Sequence, residues 1–504
     1  MAKFKSYNYS QRVFLPVSLE DQLLPGTLEF AIHTLVENRL DTARFETHYR
    51  NDETGRLAYN PKILLKIVLL GYARGLISSR KIEQACRENV VFIALACGQQ
   101  PDHSTIATFV SSLKPEILPL FRDVLLVCQE MDLLGGTFFA LDGLKLPSNA
   151  SKEWSGTKSE MHRKKERLEA KVQQLLEEHL EGDKEDDPGP GSGGPDGTKR
   201  EKQVKRLQKQ AERIEQWLKV NEAKYGTTGK EISSNLTDNE SAKMKTAHGV
   251  IQGYNSQALI DGKHQVVVHA QAFGRGQDHA HAPPMLDGAL ENLQILGHGA
   301  EYFAGKIFTA DTNYHSDTNL RKCEDLQLDA YIPDIYFRRR DPRYASQRRY
   351  WPRRKKFALE DFQYEEDTDN YQCPQGKRLR RIARKSYQNG LVHRVYVAEE
   401  KDCRCCPLQL RCITHKRGKR KFLRVPIAVA LTNFSRRMAG KVDSELGRKI
   451  YPQRLAVAEP VFANIRTHKR LDRFTLRGKV KVNIQWLLYC MVHNIEKIAN
   501  YGLT

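Results

Sequence analysis

Long apolar runs are missing from this chain. No stretch reaches about 18 uninterrupted apolar residues, and the richest, ILLKIVLLGY from Ile63, is broken by Lys66, so no membrane-spanning helix is expected. The first residues, MAKFKSYNYSQ, lack the apolar core of a secretory signal, and the expectation is a cytoplasmic protein. Cysteine is scarce as well. Ten in 504 residues are too few for a disulfide framework, and five of them crowd between Cys373 and Cys412, a distribution that suits metal binding better than oxidation. Acidic residues are outnumbered, 61 against 81 Lys and Arg, which leaves a formal charge of +20. An excess of that size asks for a polyanion, and nucleic acid is the leading partner.

What is present divides the chain into four regions. Through residue 134 the apolar spacing is helical, with Ile63, Leu64, Ile67 and Val68 on one face, then Ile82, Ala85 and Cys86, then Ile106, Phe109 and Val110. Within it, residues 78–113 suit a helix-turn-helix, with Asp102 or Ser104 capping a helix over 105–113, and either DNA contact or dimerisation suits that element. Residues 158–226 are charged and heptad-like: Val204, Leu207, Ala211, Ile214 and Leu218 face an earlier run of Leu168, Val172 and Leu175, with EGDKEDDPGPGSGGPDGTKRE between them as a linker. This predicts an inserted helical hairpin, either an arm for dimerisation or DNA or a tolerated insertion.

Around the hairpin the pattern is that of strands. GTFFALDGLKL precedes it, and two runs joined by Asp261-Gly262, a favoured two-residue hairpin turn, follow it. A helix over 285–296, the strand KIFTAD, a helix with Leu320 and Leu326, and the strand DAYIP complete an α/β order that suits a mixed sheet with helices packed on it. Asp142 falls among apolar strand residues, where a carboxylate is costly unless a cation compensates it or it caps a turn with Gly143. Asp311 again ends a strand. Two such carboxylates on neighbouring strands would favour a hard cation such as Mg²⁺. A third, Glu459, lies on a helical pattern with Leu455, Val461, Phe462 and Ile465 as packing residues and Tyr451, Arg454 and Arg466 nearby in sequence.

These residues carry a resemblance. The sequence resembles a DDE transposase of a bacterial insertion sequence, from the branch whose last motif is Tyr, two residues, Arg, a short gap, Glu, six residues, Lys. Asp142, Asp311 and Glu459 match the family's three carboxylates, and Tyr451 and Arg454 match its Tyr and Arg. Four residues rather than three separate Arg454 from Glu459, and Arg466 stands where Lys is usual. The resemblance takes in an InsH-like helical N-terminal domain and the tail RFTLRGKVKVNIQWLLYCMVHNIEKI. It implies a ribonuclease H-like core over 135–157, 227–335 and 446–504, a helical N-terminal domain over 1–134, the hairpin insertion over 158–226 and a second insertion over 336–445. It also implies two Mg²⁺ or Mn²⁺ ions on Asp142, Asp311 and Glu459, with Tyr451, Arg454 and Arg466 on phosphates. The implied partners are double-stranded DNA, as terminal inverted repeats and target, bound by a homodimer at the bacterial nucleoid. A nuclease on the same fold, or a DNA-binding relative that no longer cuts, are the rival readings.

The second insertion has two parts. YFRRRDPRYASQRRYWPRRKKF sets ten Lys or Arg against one Asp, interleaved with Tyr336, Tyr344, Tyr350 and Trp351. Arg338, Arg339, Arg340, Arg348, Arg349, Trp351, Arg353 and Arg354 are thus expected to bind DNA. Further on, Cys403 and Cys406 form a Cys-x-x-Cys knuckle that Cys373 and Cys412 complete as four thiolates for a structural Zn²⁺, with Cys405 and His415 as competing ligands. Cys86, Cys97, Cys128, Cys323 and Cys490 are expected in the core.

Overall fold

The computed structural model describes residues 18–48, 57–185, 195–226, 229–247, 249–344, 346, 357–388, 391–413, 418–426 and 430–501. The chain divides into two compact units, one made of residues 1–303 and 455–504 and the other of residues 304–454.

The first unit opens with six helices: α1 (Leu28–Asn38), α2 (Pro61–Ala73), α3 (Ser79–Glu88), α4 (Val90–Leu95), α5 (His103–Ser112) and α6 (Ile117–Glu130). Short polar side chains start most of them. Thr27, Asn60, Ser78, Asn89 and Asp102 each accept a hydrogen bond from a first-turn amide, which the helix itself leaves without a partner. Asp102 is therefore the cap expected for α5. The intervening α4 departs from a simple helix-turn-helix. Cys97, expected in the core, is exposed, because the chain leaves α4 there with a positive φ of 51°.

Strand β1 (Phe138–Pro147) comes next. The hairpin follows: β2 (Ser155–Gly156), α7 (Lys158–Glu185), α8 (Pro195–Val220), then β3 (Lys224–Tyr225), β4 (Glu231–Ile232) and β5 (Ser234–Asn235), with β2 paired to β5 and β3 to β4. The heptad residues meet as expected, Val172 and Leu175 against Val204 in one cluster, Met161 against Ile214 and Trp217 in another.

Strands β6 (Ala242–Thr246), β7 (Gly249–Asp261) and β8 (Val267–Phe273) complete the first unit's sheet. β1 pairs antiparallel with one edge of β7, while β6 and β8 share the other edge. Strand β6 was not foreseen, although its Met244 is buried between two lysines on the opposite face. The expected two-residue turn at Asp261-Gly262 is instead a five-residue connection. The Asp261 carboxylate accepts from the Lys263 amide within it (2.9 Å) and also from the amides of Gly135 (2.9 Å) and Gly136 (2.7 Å). α9 (Ala282–Ile295) packs on β8, and α17 (Lys479–Tyr501) runs through the centre against α6, α2 and β8. It is apolar on nearly every side, as a helix surrounded by protein must be. Tyr489 stacks on Tyr72 with centroids 4.6 Å apart.

In the second unit, β9 (Ile307–Ala310) and β10 (Asp329–Tyr331) pair in parallel, joined through α10 (Asp317–Asp325). After α11 (Phe337–Arg340) comes an antiparallel meander of β11 (Gln363–Glu365), β12 (Asn370–Gln372), β13 (Arg378–Gln388), β14 (Leu391–Ala398) and β15 (Phe422–Pro426). Its last connection carries α12 (Glu400–Arg404) and α13 (Gln409–Cys412). α14 (Ala430–Asp443) packs on α10 and β10, and α15 (Glu445–Ile450) leads into α16 (Gln453–Ala463), inside which the division between the units falls. The chain is thus a mixed α/β protein with helices and a mixed sheet. Among the described residues no helix is long and apolar enough to cross a membrane.

Candidate active site

The three expected carboxylates are divided between the units: Asp142 and Glu459 belong to the first, Asp311 to the second. Asp142 does not end its strand. β1 continues in register to Pro147, with Asp142 opposite Ala258 and Gly143 opposite Gln257, so the turn-capping explanation fails. The Gly143 amide donates to Asp142 Oδ1 at 2.8 Å. A side chain at 143 would not fit, since a Cβ there would stand 2.1 Å from Gln257 Nε2.

That glutamine belongs to a buried polar group that sequence reasoning missed. Gln257 Nε2 donates to Asn255 Oδ1 (2.8 Å) and Asp278 Oδ1 (3.0 Å), and Asn255 Nδ2 donates to the same carboxylate oxygen at 2.6 Å. His281 Nδ1 is 3.6 Å from it, its ring stacked on Phe273. Burial pushes the Asp278 carboxyl up, but His281 and Asn255 outweigh it and hold the carboxyl below its ordinary value. The sequence signal was the run Asn255, Ser256, Gln257 inside a strand, three polar side chains that are all buried.

Glu459 and Leu455 are exposed on α16 and Arg466 is exposed in the turn after it, whereas Val461 and Ile465 are buried. Leu455 was expected to pack; at 45% exposed it does not. The helix passes Pro460 and ends in a π-helical turn over Asn464–His468. Arg466 Nε lies 3.6 Å from Asp472 Oδ1. The turn is anchored from within: Asn464 donates to Glu496 (2.7 Å), Lys469 Nζ bonds Asn464 Oδ1 (2.9 Å), and His493 Nδ1 is 3.1 Å from Asn464 Nδ2.

In the second unit Asp311 stands where β9 leaves the sheet. It caps the next turn, accepting from Asn313 N at 2.8 Å and Asn313 Nδ2 at 3.2 Å. Tyr451 is within electrostatic reach of it. Burial raises the Tyr451 hydroxyl pKa, Arg454 and Arg338 oppose that rise, and Asp311 adds to it. Three sequence-predicted residues, Asp311, Arg454 and Arg338, therefore act electrostatically on a fourth, Tyr451. The Tyr451 ring meets Phe337 edge-on, with centroids 5.4 Å apart, and Arg454 is 9% exposed.

Within the basic segment the arginines divide by task. Arg340 binds both Asp334 and Asp443 and Arg343 binds Asp341, so these two hold the fold. Arg338 lies over Tyr344 and Arg339 over Tyr336, with their charge still available. Arg348, Arg349, Trp351, Arg353, Arg354, Tyr350 and His415 lie outside the described residues.

Cys373, Cys403, Cys406 and Cys412 line one small pocket of about 30 Å³, and three of them pack against the Phe362–Leu379–Tyr396 core. Gly376, at φ +73°, closes a tight turn after Cys373, its amide donating to the Cys373 carbonyl at 2.7 Å. Cys405 is exposed. Burial raises the thiol pKa of Cys403 and Cys412, and the neighbouring thiols raise it further. As the side chains stand, no group of three or more His, Cys, Asp and Glu among the described residues is arranged to hold a metal ion.

Comparison with known families finds two segments. Residues 17–112, which contain α1 to α5, match the family described as Transposase domain (DUF772). Residues 372–499, from the end of β12 through Glu459 into α17, match the family described as Transposase DDE domain. No curated protein and no solved structure matches the chain. With one transposase segment on the N-terminal helices and another on the cysteines and the Glu459 helix, the two matches support a DDE transposase of an insertion sequence.

Proposed function

We propose that the protein binds the ends of its insertion sequence as a homodimer and cuts and joins DNA strands by metal-dependent phosphoryl transfer on a ribonuclease H-like core. The observation that carries this reading is the group of Asp311, Tyr451, Arg454 and Arg338, in which a strand-end carboxylate and two guanidinium groups suited to phosphate all act on the Tyr451 hydroxyl. Asp142, Asp311 and Glu459 offer only carboxylate oxygens, the donor type that Mg²⁺ and Mn²⁺ take, and are the proposed holders of two such ions. Ions bound there would activate the attacking oxygen and stabilise the leaving one.

The chain's own side chains supply the rest. Arg454 and Arg338 orient phosphate oxygens, Tyr451 holds Arg454 in place, and Arg466 offers a more exposed contact further along the DNA. The basic segment around Arg338 and Arg339 extends the grip on the backbone. The helices of residues 1–134 serve end binding or dimerisation. The four pocket cysteines are proposed as a structural Zn²⁺ site, since four sulfur donors with a Cys-x-x-Cys spacing are the set that zinc takes.

The test is cleavage of labelled DNA carrying the element's ends, in Mg²⁺ and in EDTA. Asp142→Ala, Asp311→Ala and Glu459→Ala should each abolish metal-dependent cutting at those ends and leave DNA binding intact. Cutting without regard to the ends would mean a general nuclease. Binding without cutting under any divalent metal would mean a non-catalytic DNA-binding protein.

A further inference from the structure

A cavity in the first unit is lined by none of the expected site residues. It has a volume of about 560 Å³, within the range of small-molecule and nucleotide pockets. Its walls come from chain segments far apart in sequence: the loop after β1, α8 of the hairpin, the start of β7 and the loop before α17. Four of its side chains are basic, Lys152, Arg213, Arg473 and Arg477, against one acid, Glu153. Arg477 is fixed on the wall, its Nε donating to the Asn149 carbonyl at 2.6 Å. Arg213, Arg473 and Lys152 are exposed and make no ion pair with any described residue.

The remaining wall sets apolar Pro147, Ala150, Trp154, Val250 and Ile251 among polar Asn149, Ser151, Thr237 and Gln252. Trp154 is its aromatic member, steadied by Lys164, whose Nζ sits 3.9 Å over the ring and donates to the Glu153 carbonyl at 2.7 Å. A bare anion would need the cations without the apolar residues, and a hydrophobic ligand would need those residues without the cations. Both together suit a nucleotide, which has a charged phosphate and a flat base. The face of a duplex cannot enter a concavity of this kind, whereas an unpaired nucleotide can.

We infer that this cavity binds an unpaired nucleotide of a DNA strand, with Arg213, Arg473 and Lys152 on its phosphates and the Trp154 wall against its base. The hairpin thereby gains a task, because Arg213 is its contribution to the pocket. Pro147, on the pocket rim, follows Asp142 by five residues of β1, a distance of about 17 Å. If Asp142 is catalytic, the occupant is a nucleotide a short way along the strand from the cut. That location rests on the proposed function, but the binding itself does not.

The test is fluorescence anisotropy in EDTA, which excludes cleavage and so separates this inference from the catalytic reading. The probes are one duplex in two forms, blunt and with a three-nucleotide single-stranded overhang. The wild type should prefer the overhang by about fivefold or more. Arg213→Ala combined with Arg473→Ala should remove that preference while blunt-duplex binding stays within about twofold. Lys205→Ala with Lys209→Ala removes equal charge from α8 outside the pocket and should leave the preference intact. A wild type indifferent to the overhang, a preference that survives in the pocket variant, or one lost equally in the α8 control would each overturn the inference.

Discussion

Lys469 Nζ lies 2.5 Å from Glu496 Oε2, with the lysine side chain completely buried. The pair ties the π-helical turn that ends α16 to the central helix α17, and Asn464 bridges it by bonding both partners. An ion pair in this setting contributes more to geometry than to net stability, because desolvation offsets most of the attraction. Its position gives it a role: it fixes the end of the helix on which Glu459 is exposed.

Breaking only one half of the pair should therefore be severe. Lys469→Met leaves the Glu496 charge uncompensated and is expected to destabilise the protein by about 3–5 kcal/mol. Adding Glu496→Gln should return a large part of that loss. Urea unfolding of the two variants measures it, and equal midpoints would contradict the account.

Acid stability depends on His493. Its Nε2 bonds the Gln265 carbonyl at 2.9 Å, and Asn464 faces Nδ1 at 3.1 Å. Burial lowers its pKa to about 3; the Gln265 hydrogen bond works against this, and Lys469 and Lys497 add to the lowering. The unfolded chain, with an ordinary imidazole near about 6.5, binds more protons between those two values. The contribution is thus fully present above about pH 6.5, is lost as pH falls from there, and levels off near 3. The loss from this group alone is on the order of 3–5 kcal/mol. Unfolding midpoints at pH 7 and pH 4 should differ less in His493→Gln than in the wild type.

How far the sequence revealed this structure follows from the kind of signal each part sends. Caps and periodicities are local, so Asp102 at the start of α5 and the heptads of the hairpin were legible. Asp311 was legible too, since a carboxylate that ends a strand remains at its end whatever surrounds it. Misread features depended on partners distant in sequence. Asp261 was read as half of a two-residue turn because the chain that also recruits its carboxylate, Gly135 and Gly136, lies more than a hundred residues earlier. A turn at Asp142-Gly143 stayed open as an alternative because nothing local shows that Gln257 presses against Gly143 from the next strand. Leu455 was placed among the packing residues of a helical pattern, although its position turns it outward.

Gly143 gives the next prediction. Gly143→Ala must push Gln257 Nε2, 2.1 Å from the new Cβ, out of its bonds to Asn255 and Asp278. The expected cost is about 1–3 kcal/mol of stability, with a fall in cleavage because the disturbance adjoins Asp142. Truncating the obstruction in Gly143→Ala/Gln257→Ala should relieve the steric part, so the double variant should be no less stable than Gln257→Ala alone by more than about 0.5 kcal/mol. A larger gap in thermal or urea unfolding would mean that the glycine is required for backbone reasons rather than for space.

The cysteine pocket yields the last prediction. Four thiols around about 30 Å³ form a small void in the meander, and a void lined by groups that do not reach one another forfeits packing. Zn²⁺ would draw the thiols inward, displace their protons and cross-link the turn after β12 to α12 and α13. Protein purified without chelator should then carry one zinc per chain by elemental analysis. Removing it should lower the melting temperature, and replacing it with Co²⁺ should give the thiolate-to-metal charge-transfer band of a Co²⁺–Cys₄ centre. Cys403→Ser should lose metal and stability together, whereas Cys405→Ser, at an exposed position, should lose neither. A metal-free protein with the same melting temperature as wild type in Cys403→Ser would reduce the four residues to ordinary packing thiols.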